Sequence, residues 1–570
     1  MRSRGDFVPQ FAGDLGMTPA ADRKSARLKA NAVGISLFVV ILALLAWRIT
    51  RGVDFEDESY YAIFIDDWLK GSISSSTFQT LHQTAALIVY PAALAYAHIV
   101  GSSDGLFLFL RVLFLTGSVI AALCCTVFLR RLGHGFLAWA AGIFVLSFIP
   151  GGLPAPSYNS LGLQALTIAL ATFGCAALVD RQKEQLGWLA VSASAWAIAT
   201  VAYPSMIVPL GCFALFALFY RDAGFPRPVL YLTFMAAAIC VGWSLVVLSL
   251  TPTRLYDSFA FSASTFDSDG WRTRLAFLHD NFAANPAFSI LCVFAIGVGV
   301  IRRSFPVVGQ LATVSTVAML FVLAPTLYVR SHDAIMLVTL TGLGLLSGLR
   351  ANAGRIERII GIVYATSLVA ALIFSVSAYK LVWNFPYGAL PAAVLAIADR
   401  PAARHFNIVS LASMSVGIAA ILSTSLFHYY GELTDQPTMP RERMREGFFA
   451  GLALAPNDAA LIHLMRDRAV PLLDPAQPIA LIGRLPGLVL AMPTRLNMPT
   501  SFVLQPGASG KVLERYQGYF EQPGRLSTLV LIYQDAYRTP ANPISRFSDR
   551  YERSVDLTTP LGVLSFFRRR

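Results

Sequence analysis

Charge is what this chain has least of. Only 14% of its 570 residues are Asp, Glu, Lys or Arg, whereas 55% are apolar. A water-soluble globular protein of this length carries nearly twice that charged fraction, so one is excluded. Cysteine is also sparse. The six residues, Cys124, Cys125, Cys175, Cys212, Cys240 and Cys292, all lie inside apolar runs, and the polar C-terminal region has none. A disulfide framework and a cysteine zinc site are both excluded. No small-residue cleavage site follows the first apolar run, so that run reads as a retained anchor rather than a signal peptide. We find no repeat of fixed period. The net charge of +12 does not indicate nucleic acid, because most basic residues lie between apolar runs, where membrane orientation accounts for them.

Long apolar runs recur through most of the sequence, which is the pattern of an α-helical polytopic membrane protein. Residues 1–30 form a basic tail with Arg2, Arg4, Arg23, Lys24, Arg27 and Lys29, expected to be cytoplasmic by the positive-inside rule. The first span, Val33–Ile49, then delivers its far end to the opposite face. Gln83–Val100 is ambiguous in length and carries Pro91 and His98. If it crosses, every later basic loop falls on the wrong side, so it is read as lying along the outer interface. The expected spans are then 106–129, 136–149, 161–179, 186–202, 205–219, 229–250, 287–301, 307–328, 334–349, 359–382, 388–398 and 408–427. With the first, this gives about thirteen crossings and an outer C-terminus.

Residues 429–570 are more polar. Helices are expected over 442–454, 458–468 and 511–520, and strands over 479–482, 488–491 and 529–533, giving a small outer α/β domain. The Arg568-Arg569-Arg570 end reads as a solvated tail.

The stretch most suggestive of chemistry is Val53-Asp54-Phe55-Glu56-Asp57-Glu58-Ser59-Tyr60-Tyr61, in the first outer loop, residues 51–105. Carboxylates crowded against a bilayer are costly, which points to a site. The alternative is that Asp57 caps a short amphipathic interfacial helix running to Lys70, with Glu58 complementing its dipole. Outside the cytoplasm an enzyme must use a donor activated in advance. A lipid-linked glycosyl phosphate is such a donor: its leaving phosphate is a weak base, and only the acceptor hydroxyl needs a carboxylate to take its proton.

This arrangement resembles the GT-C glycosyltransferases: a first helix, Asp57-Glu58-Ser59-Tyr60-Tyr61 in the first outer loop, interfacial helices, many spans and an outer C-terminal domain. Within that superfamily it is most similar to the lipid A aminoarabinose transferases and the protein O-mannosyltransferases. The resemblance implies a GT-C-like membrane domain over residues 31–428 and a periplasmic domain over 429–570, in a bacterial inner membrane. It implies an inverting transferase that moves a sugar from a polyprenyl-phosphate donor to a hydroxyl of an envelope glycan, lipid or protein. Asp57 maps onto the catalytic carboxylate, with Glu58 and Tyr61 as its motif neighbours. The family's charged pair before a proline is replaced by Leu81-His82-Gln83-Thr84. Its second outer-loop carboxylate is missing from Pro156-Ser157-Tyr158-Asn159-Ser160. A divalent metal ion at Asp57 is thereby left open as a cofactor.

His82, Gln83, Tyr158 and Asn159 are the candidate substrate contacts, and Asn159 has hydrogen-bonding capacity in place of the missing acid. Arg330 and His332, expected in an outer loop, suit a lipid phosphate. Arg254, Arg272 and Arg274 are weaker candidates of the same kind. The competing class is a transporter or flippase for lipid-linked glycans, which needs ionisable groups within several spans. The charges lie mostly at span ends, which favours the enzyme.

Overall fold

In the computed structural model the described residues are 20–220, 227–266, 286–301, 327–377, 381–398, 406–427, 440–500, 510–535 and 545–570. Single positions inside these stretches are excepted, and a few positions between 276 and 319 are added. The helices are α1 (Ala20–Arg48), α2 (Asp57–Lys70), α3 (Gln83–Val100), α4 (Leu106–Arg131), α5 (Phe136–Ser147), α6 (Tyr158–Ala177), α7 (Gln182–Ala202) and α8 (Ile207–Phe219). They continue with α9 (Pro228–Leu250), α10 (Pro252–Phe266), α11 (Pro286–Ile301), α12 (Leu327–Leu340), α13 (Arg355–Ser377), α14 (Leu381–Ala398) and α15 (Phe406–Phe427). Among the described residues, seven helices are long and apolar enough to cross a bilayer, eight if one bent pair counts as a span. Five shorter apolar helices accompany them. The expected span 307–328 lies largely outside the described residues. Val39, Val40, Val241, Leu248, Ile290 and Val293 are exposed along α1, α9 and α11, as a lipid-facing surface requires.

The basic loops gather at one end. Arg131 pairs with Glu184 at the start of α7. The Arg355 Nη2 donates to the Ala177 carbonyl at 2.6 Å, and Trp139 Nε1 in the first turn of α5 donates to Asn31 Oδ1, eleven residues into α1. The C-terminal domain occupies the other end. There the exit of α1 joins it through Gly52 N–H to Ala453 O (3.0 Å) and Ala453 N–H to Thr50 O (2.8 Å).

That domain has β1 (Glu442–Arg443) and β2 (Ala453–Leu454), then α16 (Pro456–Leu464), β3 (Ala480–Ile482), α17 (Gly510–Glu521), β4 (Leu529–Asp535), β5 (Tyr551–Thr559) and β6 (Gly562–Arg569). The four-stranded sheet has the order β3-β4-β6-β5. β3 and β4 are parallel, with Ala480 opposite Val530; β4–β6 and β5–β6 are antiparallel. Three expectations change here. Residues 442–454 form a tight two-strand turn with positive φ at Gly447 and Gly451, a conformation that ends a helix. Residues 488–491 lie in a 3-10 turn, Pro486–Ala491, because the Gly487 N–H bonds the Phe55 carbonyl and not a neighbouring strand. Arg568 and Arg569 belong to strand β6, whose alternation of Leu564 and Phe566 on the buried face was missed.

The apolar core of this domain does not stop at its own border. One continuous cluster joins Leu481, Val530 and Phe566 of the domain to Phe64 and Trp68 of α2, Ala85 and Val89 of α3, and Leu106 and Leu110 of α4. A second cluster, centred on residues such as Phe144, Leu166 and Ala393, holds the membrane helices together.

Two consequences concern the first outer loop. The segments flanking α3 both contact the C-terminal domain: Gln79 N–H donates to Pro499 O at 2.7 Å, and Gly105 N–H to Gly447 O at 3.0 Å. Both ends of the helix are therefore anchored near that domain, while the helix itself packs on α2, α4 and α7 and is one of the seven long and apolar enough to span. Second, α2 is not a half-exposed amphipathic helix. Every residue from Glu58 to Trp68 is buried, Asp66 and Asp67 included. Asp66 pairs with Lys70 and Asp67 with Arg495, which makes burial of the polar face affordable.

Candidate active site

The loop after α1 turns into α2 through Asp54, not Asp57. The Asp54 carboxylate accepts the backbone N–H groups of Glu56 (3.0 Å), Asp57 (2.8 Å) and Glu58 (3.1 Å). These are the orphan donors of a helix N-terminus, so Asp54 fills the capping role first assigned to Asp57. Burial drives the Asp54 carboxyl well above the usual carboxylate range, with the Asp57 charge adding to the rise.

Glu58 faces away from solvent and is 3% exposed. Arg111 of α4 donates from Nε to its Oε1 at 2.6 Å and from Nη2 to its Oε2 at 2.7 Å. The same guanidinium donates to the carbonyls of Ile49 (2.8 Å), Arg51 (3.0 Å) and Gly52 (2.9 Å). All five of its N–H donors are thus engaged. Both Glu58 oxygens hold the α1–α2 junction against α4, so this catalytic candidate also has a structural task. Arg111 was missed in the sequence because a lone Arg in an apolar run reads as a span interruption.

Asp57 is left partly exposed on the first turn of α2. Its charge adds to the rise of the Tyr60, Tyr61 and Tyr158 hydroxyls, a smaller effect than their burial. His82, just before α3, packs edge-on to Tyr158 with ring centroids 4.8 Å apart and to Tyr60 at 5.6 Å. Burial lowers the His82 pKa to about 4, so the ring is neutral near pH 7. Burial likewise raises the Tyr60 and Tyr61 hydroxyls above their ordinary value, and both stay protonated. Tyr60 also bonds Thr80 Oγ1 at 2.8 Å and Thr500 Oγ1 of the C-terminal domain at 3.3 Å.

Tyr158 and Asn159 open α6 and do not form a free turn. Ser157 and Ser160 build a reciprocal capping box, with Ser160 N–H to Ser157 Oγ at 3.1 Å and Ser157 N–H to Ser160 Oγ at 2.7 Å. The cap opens α6 with Tyr158 and Asn159 in its first turn, where the Tyr158 ring lies 6.3 Å from that of Tyr61 and the Asn159 Oδ1 is buried. The wall around Asp57 is therefore aromatic and neutral. A small pocket on the Glu58 side of α2, to which Asp57 does not contribute, is lined by Glu58, Tyr61, Ala62, Ile65, Phe107, Leu110, Ala155 and Pro156. Its lining is apolar apart from the Glu58 carboxylate and the Tyr61 hydroxyl.

The remaining candidates lie elsewhere. The Gln83 Nε2 donates to Ser258 Oγ at 2.7 Å, so this side chain ties α3 to α10. Arg254 of α10 donates to the Ile73 carbonyl and also reaches Gln83; Arg272 and Arg274 lie outside the described residues. Arg330 and His332 are not in a loop: both fall inside helix α12. The expected outer turn there is overridden because Ala334, Ile335, Leu337 and Val338 carry the buried face of the helix back through it. The Arg330 side chain is outside the described residues. His332 is buried against Phe148 and Tyr387, with centroids at 5.6 and 5.9 Å. It connects to Tyr158 through the ring chain Tyr387–Phe374–Tyr203. The expected single span 334–349 breaks after Leu340, with a bend of 49°. The expected turn at 383–386 lies inside α14.

Among the described residues, no three of His, Cys, Asp and Glu converge to hold a metal ion. The groups around Asp57 are mostly phenols, which do not fit a resident divalent cation.

No protein-family model matches the chain, and no curated protein matches it. Among solved structures it is similar to the Archaeoglobus fulgidus oligosaccharyltransferase in the apo form, at 11% identity and a TM-score of 0.47, over 88% of this chain and 69% of that one. It is also similar to ArnT from Cupriavidus metallidurans in the apo state, at 13% identity and a TM-score of 0.43, over 94% and 98%. ArnT bound to undecaprenyl phosphate matches at 12% identity and a TM-score of 0.44, over 94% and 97%. At these scores the likeness carries no argument about the site, and the functional reading rests on the residues themselves.

Proposed function

We propose that this protein is an inverting, GT-C-like glycosyltransferase of the bacterial inner membrane, with the C-terminal domain and the Asp57 site on the periplasmic face. A sugar is moved from a polyprenyl-phosphate donor to a hydroxyl of an envelope glycan, lipid or protein. The observation that carries the reading is the contrast between neighbours. Asp54 and Glu58 are buried, whereas Asp57, like Glu56, stays partly exposed, and Asp57 is the one that opens the first turn of α2 ahead of the aromatic residues Tyr60 and Tyr61.

In this mechanism the Asp57 carboxylate takes the proton of the acceptor hydroxyl. The acceptor oxygen bonds to the anomeric carbon from the face opposite the phosphate, and the C–O bond to phosphate breaks with its electron pair leaving on the phosphate. His82 and Tyr158 offer ring faces to a sugar, and Asn159 and Tyr61 offer hydrogen bonds. His332 is separated from Tyr158 by the rings of Tyr387, Phe374 and Tyr203, so its role toward a lipid phosphate would be exercised at a distance from Asp57.

The test is a deletion strain complemented with wild type or Asp57→Asn, with envelope glycolipids and glycans read by mass spectrometry. A sugar lost on deletion is expected to return with wild type and not with Asp57→Asn, at equal membrane levels of protein. Its full return with Asp57→Asn sinks the assignment.

One observation favours a second reading, a carrier for lipid-linked glycans. His332 and Asp333 are buried inside an apolar helix that breaks eight residues further on, a feature shared by transport proteins. Deletion would then leave the lipid-linked sugar made but confined to the cytoplasmic leaflet.

A further inference from the structure

We propose that the C-terminal domain is part of the catalytic apparatus: its segment Pro486–Thr500 positions Asp57 by gripping α2 along its length, with Gly487 as the positioning residue. This rests on the glycosyltransferase reading above. The segment first meets the α2 entry. The Gly487 N–H donates to the Phe55 carbonyl at 2.8 Å. Its α-carbon sits so close that an added Cβ would lie 2.6 Å from Ser59 Cβ and 2.9 Å from Phe55 Cα, and would also strike Ser59 Oγ. Only glycine fits such an approach without displacing backbone.

The segment then follows α2 to its other end. Lys70 Nζ donates to the carbonyls of Met492 (2.8 Å) and Thr494 (3.1 Å), and Arg495 Nε donates to Asp67 at 2.8 Å. It returns along the next loop, where Gln79 N–H donates to Pro499 O at 2.7 Å, and it ends with Thr500 against the Tyr60 hydroxyl at 3.3 Å. Tyr60 and Phe55 bracket Asp57 in sequence. Asp57 is thus held from within by Asp54, which accepts its N–H, and from outside by a segment more than 400 residues away in the chain.

A free interfacial helix would not need this. Fixing a catalytic carboxylate to within a fraction of an ångström does, because a displacement near 1 Å can cost about a hundredfold in rate. The tight contact lies at the Asp57 end of α2, whereas the ionic contacts lie at the far end. The positioning task therefore falls on Gly487.

The experiment uses the full-length protein in membranes of the deletion strain. The polyprenyl-phosphate lipid fraction of that strain is the donor source, and its unmodified envelope fraction is the acceptor. Gly487→Ala is expected to lower kcat by about ten- to a hundredfold with apparent KM for the lipid fraction unchanged. Adding Ser59→Gly, which removes the Ser59 atoms the new methyl meets and leaves the Phe55 Cα approach, is expected to rescue in part, raising kcat at least about threefold above Gly487→Ala. Unchanged kcat in Gly487→Ala overturns the proposal. So does a loss that Ser59→Gly fails to rescue, since that is general destabilisation. Asp57→Asn in the same assay separates the two claims. Transfer that survives it removes the reaction itself. An inactive Asp57→Asn beside a fully active Gly487→Ala leaves the reaction and removes only the positioning role.

Discussion

Removing either partner of the Glu58–Arg111 pair should cost far more than removing both. The carboxylate and the guanidinium are almost wholly buried, with side chains 1% and 2% exposed, and are joined by two short bonds. Glu58→Met leaves a buried cation facing only carbonyl dipoles. Arg111→Met leaves a buried carboxylate and strips donors from the carbonyls of Ile49, Arg51 and Gly52. Breaking such a pair from one side costs roughly 3–5 kcal/mol, most of it the price of an uncompensated charge. In the double variant Glu58→Met/Arg111→Met no charge is stranded, though the carbonyls still lack their donors. Its loss should fall short of the sum of the singles by about 2 kcal/mol or more. Unfolding of the purified protein in mixed micelles, followed by tryptophan fluorescence as the denaturing detergent fraction rises, measures all four corners. Losses that add to within about 0.5 kcal/mol would mean that the two charges are solvated separately, and the account of the α1–α2 junction would be wrong.

The remaining predictions concern pH and topology. His82 has a folded pKa of about 4, below the ordinary value of 6.5. Between these values the unfolded chain binds more protons than the folded one, so its contribution to stability is complete above pH 6.5 and falls away as pH drops towards 4. His82→Gln should flatten the stability profile in that window, and an unchanged slope would show that the ring is solvated. Cysteines placed at Ser75 and Ser102, both exposed and flanking α3, should react with an impermeant thiol reagent added from the same side of sealed vesicles. Reaction from opposite sides would make α3 a true span.

The candidate site was legible only in outline. Asp57 stood out because carboxylates beside an apolar run need a reason. Which of the four did what was not readable, because Asp54, Glu56, Asp57 and Glu58 are alike in type. Their roles separate through partners far away in the chain, above all Arg111. The 330–333 segment misled for the opposite reason. Its polar residues looked like a turn, but apolar neighbours at helical spacing carry the chain straight through it. The C-terminal hairpin was passed over because β5 is largely exposed and polar, and gains its strand character only by pairing with β6.

The sequence by itself determined the class of molecule, the apolar segments and the loop in which a reacting carboxylate can stand. These follow from local quantities, namely hydropathy over a helix length and the sign of flanking charge. Only the tertiary structure decided that α2 is enclosed, that Glu58 is buried against Arg111 while Asp57 stays partly exposed, and that the far C-terminal segment lies against the loop after the first helix. Each of those facts depends on contacts between residues dozens to hundreds of positions apart, and burial and pairing are properties of such contacts rather than of any residue type.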